Sequence, residues 1–339
     1  MSLDSRLSNF ELLRCLAMFL VLVVHADFFS LGEPSITNFT SISLSDMTRL
    51  FIEGVSIVCV NVFVLISGWF GIRPKIKSFA NFIFQCLFFS IGIYLVSILS
   101  GISQISGKGV LECFYFTLDN WFVKSYIGLY IIAPILNAYI THASKSQLKQ
   151  TILYFYLFQT IYAWYFGALP FVAGGCSTFS FIGLYLLAAY LQHYPTKFSV
   201  LNKWLDVCIF VFIVIVELFL YANSILKSQI YIYTNPLVIL GSVYLLLYFS
   251  KLHFISRWIN FIGSSCFAVY LLHTNPNLCQ TYFVPMVQRL YNETTGFMTI
   301  ILIGVFLVLV FCFSILIDQL RKLLWSFLWG KIEVRINRS

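Results

Sequence analysis

The sequence predicts an all-α membrane protein, a polytopic helical bundle of about ten transmembrane helices with both termini in the cytoplasm. Three observations lead to this prediction. The 339 residues are 60% hydrophobic and only 10% charged, whereas soluble domains carry roughly 25% charged residues. Apolar runs of about 20 residues, the length that spans a bilayer, recur along the whole chain. The basic residues fall mostly in alternate connections between these runs.

Ten apolar runs are candidate spans, and no internal repeat or soluble domain separates them. We interpret the first run as a spanning helix rather than a signal peptide, because Glu11 and Arg14 interrupt its start and no small-residue cleavage site follows cleanly. Residues 1–339 are therefore predicted to form a single membrane domain with a basic cytoplasmic tail at about 319–339. The predicted spans are 10–31, 49–71, 78–100, 120–140, 149–169, 177–193, 204–222, 232–250, 258–274 and 297–318.

The charges of the loops set the orientation. If the N-terminus is cytoplasmic, five of the 21 Lys and Arg residues lie outside and the remaining 16 lie inside. This asymmetry follows the positive-inside rule, and every internal loop agrees with it. The net charge of +8 is then explained by a cytoplasmic rim that faces anionic lipids, and it requires no nucleic-acid partner. The five outer residues are Arg49, Lys108, Lys124, Lys227 and Arg289.

The first span carries Arg14 and His25 among its ionisable residues, and charged groups within membrane helices are costly and usually functional. Eleven residues at 100° each place both on one helix face, about 16 Å apart along the axis. Arg14 then lies at the cytoplasmic boundary, where a snorkelling anchor is the structural alternative. His25 lies in the outer third of the bilayer. There an imidazole can act as a general base, or can simply bond a neighbouring helix.

Helix direction sorts the other polar residues by depth. A cluster of histidine and carboxylate side chains is predicted in the outer half: His25, Asp27, Glu53, Glu217 and His273. A basic mouth is predicted at the inner end: Arg14, Arg73, Lys75 and Lys77. A long anionic ligand that enters from the cytoplasm fits this arrangement. Asp27 and Glu217 also have structural interpretations, since Asp27 is about 200° round the helix from His25.

The nine cysteines are predicted to be small apolar residues. They are far apart, with no CxxC pair and no Cys/His cluster, so neither disulfides nor metal ligands are expected. No metal site and no bound cofactor are predicted.

Two segments resemble the integral-membrane acyltransferase family 3, in particular its bacterial O-acetyltransferase branch. The run NFELLRCLAMFLVLVVHA contains the family's Arg, ten residues and then His, here Arg14 and His25. The run CVNVFVLISGWF is similar to the family's G-V-D-x-F-F-x-x-S-G-[FY], with Ser67 and Gly68 in place. Asn61 replaces the common Asp of this motif, so no proton transfer is assigned to it.

Two further matches extend the resemblance from residue 9 to about residue 274. IGSSCFAVYLLH is similar to G-x-x-S-[YF]-x-x-Y-L-x-H, with Tyr270 and His273 in place and Cys266 at the usual Ser position. WFVKSYIGLYIIAP, which begins at Trp121, is similar to an aromatic-rich family segment.

The resemblance implies acyl transfer across a bacterial cell membrane. The donor is commonly cytoplasmic acetyl-CoA, a cosubstrate, and the acceptor is a sugar hydroxyl on a lipid-linked or cell-surface polysaccharide. It assigns catalysis to His25, with Glu53 as the carboxylate that orients it, although a covalent acyl-histidine is an open alternative. The expected donor-binding residues are Arg14, Arg73, Ser67 and Gly68. The expected acceptor or supporting residues are Tyr270, His273, Asn61 and Trp121.

Two other classes of function are compatible with the composition. A proton-coupled transporter or glycan flippase would also use intramembrane His and Glu residues, although the chain lacks the internal repeat and paired Gly/Pro-broken helices common in transporters. A non-catalytic sensor or assembly subunit would not need the spacing of Arg14 and His25. The acceptor, the acyl group and the oligomeric state are left open by the sequence.

Overall fold

A computed structural model describes residues 7–34, 36, 42–114, 120–167, 169–197 and 199–336. These residues form helices and connections without any β-strand, which confirms the predicted all-α class. Residues 337–339 of the predicted tail lie outside the described residues. The α-helices are α1 (Ser8–Val24), α2 (Leu44–Ser56), α3 (Cys59–Phe70), α4 (Ile76–Leu99), α5 (Gly107–Phe114), α6 (Trp121–His142), α7 (Lys145–Phe158), α8 (Thr178–His193), α9 (Lys203–Ala222), α10 (Lys227–Ile230), α11 (Pro236–Ser250), α12 (Arg257–Gly263), α13 (Phe267–His273), α14 (Pro276–Leu278), α15 (Val284–Glu293) and α16 (Phe297–Ile336).

Six helical stretches in the described part of the chain are long and apolar enough to cross a membrane. Together they point to a multi-pass membrane protein. The other four predicted spans are helical over much of their length but are shorter or less apolar. The count of ten spans and the cytoplasmic termini stay predictions. The six stretches are Ser8–Phe29, Leu44–Phe70, Ile76–Leu99, Trp121–His142, Lys203–Ala222 and Phe297–Lys331.

The second span begins earlier than predicted, at Leu44 rather than residue 49. Ser43 caps it, because its hydroxyl accepts a hydrogen bond from the Asp46 backbone N–H at 3.0 Å. A polar N-cap of this kind satisfies a backbone donor that would otherwise lack a partner. A turn at Ile57 and Val58 then divides the span into α2 and α3.

The last helix ends later than predicted, because α16 continues to Ile336 and absorbs most of the predicted tail. The stretch from 319 to 336 contains no proline and one glycine, Gly330. Leucine, charged and aromatic residues make up most of the rest, so nothing in the local sequence stops helix propagation. A basic stretch therefore need not be a separate, solvated tail.

The helices form two compact units, each assembled from two separate stretches of the chain. Unit 1 contains the described residues of Met1–Pro74 and Trp121–Asn260, and unit 2 those of Lys75–Asn120 and Phe261–Ser339. The prediction of a single domain stays a prediction.

The helix α3 is the core of unit 1. It is apolar on all sides and packs against α1, α8 and α11, while α9 packs on α2 and α11. A helix that is hydrophobic all round is typically surrounded by protein. Polar residues on α3 are therefore inside unit 1, where they need partners.

Two polar contacts fix the ends of the unit 1 helices. The Asn9 side chain donates to the Phe249 carbonyl at 2.9 Å, which ties the start of α1 to the end of α11. Lys251 Nζ lies 2.5 Å from an Asp206 carboxylate oxygen, which ties α11 to α9. The first turns of α1, where Arg14 lies, are therefore held by the core of unit 1.

Unit 2 is built on α16, which packs against α4, α13 and α15. Asp318 and Arg321 form a buried ion pair at 2.8 Å, with side chains 0% and 3% exposed. Gln85 of α4 donates to Asp318 at 3.0 Å and Arg321 donates to Asn81 at 2.7 Å. Each charge thus has a charged and a neutral partner, as buried charges require.

Candidate functional site

His25 lies where the first helix changes its form. α1 ends at Val24, and His25 is the first residue of the π-helical segment His25–Phe29. Its carbonyl accepts a hydrogen bond from the Ser30 hydroxyl at 2.5 Å, and its ring lies 5.4 Å from the Phe29 ring, centroid to centroid. Single π-helical turns are rare and occur frequently at functional sites. The chain departs from α-helical geometry at His25, as it also does at Gln159–Tyr165 and Cys279–Phe283.

Arg49 of α2 is the charged partner of this segment. Its Nε lies 2.6 Å from Asp27 Oδ1, and its Nη2 donates to the Gly32 carbonyl. The side chains of Arg49 and Asp27 are only 12% and 9% exposed. Because neither charge is well solvated, removal of one would leave the other uncompensated.

Glu53, the expected partner of His25, is buried on α2 four residues after Arg49. Glu53 and Arg49 are therefore about one helical turn apart along α2. The role of Glu53 in orienting His25 stays a prediction.

A second buried carboxyl group, that of Glu217 on α9, lies beside α2. Its Oε2 is 3.5 Å from the position that a Cβ atom on Gly54 would occupy. Its Oε1 and the Oε2 of Glu53 are buried and have no hydrogen-bond partner. Two carboxyl groups in unit 1 are therefore incompletely satisfied.

At the predicted cytoplasmic end of α1, Arg14 forms an ion pair with Glu11, one turn earlier. The Glu11 side chain is 4% exposed and that of Arg14 is 30% exposed. The contact uses Nη1 of the guanidinium, and a guanidinium has five N–H donors in a fixed fork. Arg14 can therefore be oriented by Glu11 and still donate to an anion.

Arg73 follows a turn that unit 1 holds firmly. α3 ends at Phe70, and Gly71 adopts a φ of +71°, which glycine tolerates without strain. The next residue, Ile72, donates its N–H to the Tyr185 hydroxyl at 2.8 Å and accepts from the Asn137 amide at 2.7 Å. Tyr185 in turn donates to Asn137 at 2.6 Å. This closed triangle precedes the exposed Arg73, so it fixes where that side chain begins.

The other two predicted donor-site residues, Ser67 and Gly68, serve packing in the structure. The Ser67 hydroxyl lies 3.1 Å from the Phe63 carbonyl and 3.2 Å from the Tyr126 hydroxyl. Gly68 is where α3 meets the backbone of α8 at Tyr185. Their assignment to donor binding stays a prediction.

Replacement of Gly68 by alanine should destabilise the protein by about 1–3 kcal/mol, the usual cost of overpacking. A Cβ atom there would stand 2.7 Å from the Cα atom of Tyr185 and 2.9 Å from its carbonyl carbon, so two helix backbones would have to separate. Thermal unfolding in detergent measures the effect. Gly92→Ala is the control, because a Cβ on Gly92 meets nothing within 4 Å. Equal melting temperatures for Gly68→Ala and wild type would contradict the prediction.

Asn61 and Trp121 converge on Tyr233. The Asn61 amide donates to the Tyr233 carbonyl at 3.0 Å, and the Trp121 and Tyr233 rings lie 5.9 Å apart. Asn61 thus makes the interhelical hydrogen bond typical of an amide within a membrane helix. Both residues lie in unit 1, as do His25 and Arg14.

The remaining two predicted residues, Tyr270 and His273, lie in unit 2. The Tyr270 hydroxyl donates to Asn120 Oδ1 at 2.9 Å. His273 is buried, and its Nδ1 lies 2.5 Å from the Val269 carbonyl. Nδ1 must carry the proton to donate this hydrogen bond to the carbonyl, so Nε2 would be the basic nitrogen of the ring.

Three groups of side chains were not assigned to the site from the sequence. Glu11 had a local signal, because it precedes Arg14 by one helical turn. Arg49 was recognised only as one of five outer basic residues. No feature of the sequence indicated the Tyr185–Asn137 pair, because its partner Ile72 is distant in sequence. In the described part of the chain, no three His, Cys, Asp or Glu side chains group as metal ligands would.

The comparisons with known proteins give one match. A family model described as an acyltransferase domain (Acyl_transf_3) matches residues 7–318. No curated protein and no solved structure matches the chain. The matched range contains every predicted site residue.

Proposed function

Because the chain belongs to the acyltransferase 3 family of membrane proteins, we propose that it transfers an acetyl group from cytoplasmic acetyl-CoA to a sugar hydroxyl of a lipid-linked or surface glycan. The observation that carries the proposal is the pairing of Arg14 and His25 on one helix, about 16 Å apart along its axis. In this proposal the two residues hold the two ends of the donor. The residence of the protein in a bacterial cell membrane is part of the same proposal.

The donor's charged end is assigned to Arg14 and Arg73. Guanidinium groups bind phosphate oxygens through paired, charge-assisted hydrogen bonds, stronger than those of neutral donors. The ion pair with Glu11 supports this role of Arg14, because it orients the guanidinium before the ligand arrives. The triangle of Ile72, Tyr185 and Asn137 supports that of Arg73 in the same way.

The chemical step is assigned to His25 as general base. Its imidazole takes the proton of the acceptor hydroxyl as the oxygen attacks the thioester carbonyl. The carbon–sulfur bond then breaks, and the departing CoA thiolate receives the proton from the imidazolium. Acceptor-side support is assigned to Asn61 and Trp121 of unit 1, while the roles of Tyr270 and His273 of unit 2 stay predictions. A route through an acetyl-histidine balances equally well and is the alternative within the same function.

The test of the proposed function uses purified protein in detergent or liposomes with radiolabelled acetyl-CoA. An envelope glycolipid extract from the source organism supplies the acceptor. We expect label in the glycan fraction and release of one CoA thiol for each acetyl group transferred. We also expect CoA to raise the melting temperature. Absence of both transfer and stabilisation would overturn the acyltransferase assignment.

Replacement of Arg14 by alanine should weaken CoA binding by about tenfold or more, since charge-assisted hydrogen bonds contribute about 1.5–3 kcal/mol each. The rate at saturating acetyl-CoA should change much less, because Arg14 is far from the thioester in this proposal. Calorimetric titration with CoA measures the first effect, and the KM for acetyl-CoA with the maximal rate measures the second. Lys108→Ala is the control, because Lys108 is 88% exposed. A large loss of rate with unchanged KM would move Arg14 out of the donor site.

A second candidate is a proton-coupled transporter or flippase. Its support is the pair of buried, unsatisfied carboxyl oxygens on Glu53 and Glu217, since such groups serve proton relays in membranes. Proteoliposomes that contain a pH-sensitive dye separate the two functions. Proton movement driven by a glycolipid gradient without acetyl-CoA would favour the transporter. Acetyl transfer without proton movement across the membrane would favour the enzyme.

A further inference from the structure

The π-helical segment that begins at His25 needs support from elsewhere in the fold. A π-helical turn is wider than an α-helical turn and has less favourable internal packing, so it forms where surrounding contacts hold it. The chain leaves the helix soon afterwards, at Gly32, whose φ is +75°. The orientation of the His25 imidazole therefore depends on what fixes residues 25 to 32.

Arg49 makes contacts along this whole stretch from a different helix, α2. Its Nε bonds Asp27 within the segment, and its Nη2 donates to the carbonyl of Gly32 beyond it. Its guanidinium carbon also lies 5.9 Å from the centroid of the Phe28 ring. One planar group thus contacts two positions of the π-helical segment and one position just beyond it.

The surroundings of Arg49 indicate that this arrangement is specific. The Arg49 and Asp27 side chains are mostly buried, and Glu53, about one helical turn after Arg49 on α2, is buried as well. The planar fork of a guanidinium allows one side chain to bond a carboxylate and a carbonyl at once, which a lysine ammonium does less well. Arg49 has no role in the donor binding or proton transfer assigned above.

We propose that Arg49 is a positioning residue for His25. By holding Asp27 and Gly32 it fixes the π-helical turn, and so aims the imidazole at the acceptor hydroxyl. This proposal rests on the proposed function of His25. Arg49 itself touches neither donor nor acceptor, and it acts through the backbone of residues 25 to 32.

The first experiment separates positioning from binding. We expect Arg49→Gln to lower the maximal rate of CoA thiol release at least tenfold, with the KM for acetyl-CoA within twofold of wild type. Asp27→Asn should have the same effect, and the double variant should be no slower than either single variant, since the two residues act as a unit. Arg289→Gln is the matched control. That arginine is also predicted on the outer side and also ion-paired, with Glu293, but its side chain is 67% exposed.

The second experiment does not depend on activity. Diethyl pyrocarbonate modifies accessible imidazoles, and mass spectrometry gives the rate at each histidine. We expect Arg49→Gln and Asp27→Asn to change the rate at His25 at least threefold, while the rate at His253 stays constant. Arg289→Gln should leave both rates unchanged. Melting temperatures and gel filtration identify any variant that fails to fold. If Arg49→Gln fails to fold, the modification rate at His25 is measured in Asp27→Asn, which preserves the shape of the side chain.

The proposal is overturned if the His25 modification rate is the same in Arg49→Gln, Asp27→Asn and wild type. It is also overturned if both folded variants keep the maximal rate of Arg289→Gln, or if the KM rises as much as the rate falls. If wild-type protein transfers no acetyl group, the proposed function fails separately. The labelling rate at His25 then still decides whether Arg49 holds that residue.

Discussion

Replacement of His25 by alanine should reduce acetyl transfer by at least about 100-fold, the contribution typical of a positioned general base. CoA binding should be nearly unchanged, because the donor's charged end is assigned to Arg14 and Arg73. The measurement is transfer of radiolabel from acetyl-CoA, with CoA titration on the same preparation. His253→Ala is the control, since His253 is exposed and has no assigned role.

The same experiment distinguishes the two routes through His25. Protein incubated with labelled acetyl-CoA and no acceptor should retain no label on His25 if the imidazole acts only as a base. Label that survives a rapid quench and maps to His25 would indicate the acetyl-histidine route. Wild-type transfer by His25→Ala would contradict both routes and remove His25 from the mechanism.

Replacement of Asp318 by alanine should destabilise unit 2 by about 3–5 kcal/mol, the usual cost of breaking a buried ion pair by removing one partner. Arg321 would keep its charge in a site where its side chain is only 3% exposed. The hydrogen bond from Gln85 would also be lost. Thermal unfolding in detergent, followed by tryptophan fluorescence, measures the change.

Another ion pair of α16 provides the control for this prediction. Glu333 pairs with Lys77 at 2.8 Å, but both side chains are more than half exposed. Water screens such a pair, so Glu333→Gln should hardly alter the melting temperature. Asp318→Asn, which keeps the shape but loses the charge, should lie between the two. Equal melting temperatures for Asp318→Ala and Glu333→Gln would show that burial of the Asp318–Arg321 pair does not matter.

Much of the fold could be predicted from local features of the sequence. Composition and apolar run length predicted membrane helices, because both depend on how many consecutive residues avoid water. The spacing of Arg14 and His25 predicted a shared helix face, because that relation lies within one helix. The motifs predicted the family that the match to residues 7–318 shows.

The ends of the helices were predicted less well than their middles. The earlier start of α2 depends on the Ser43 cap, and the continuation of α16 to Ile336 depends on the absence of a stop signal in a stretch whose charge suggested a tail. In both cases hydropathy predicted the apolar middle of the helix, while capping and helix propagation decided its ends.

What the sequence by itself determined is therefore the all-α membrane class, the family and the spacing of residues within each helix, while the count of ten spans stays a prediction. Only the tertiary structure decided which side chains are partners. It paired Arg49 with Asp27, it joined Asp318 to Gln85 across 233 residues of chain, and it joined Tyr185 to the turn before Arg73. The physical reason is that such contacts depend on how helices rotate and pack against each other, and helical periodicity describes each helix alone.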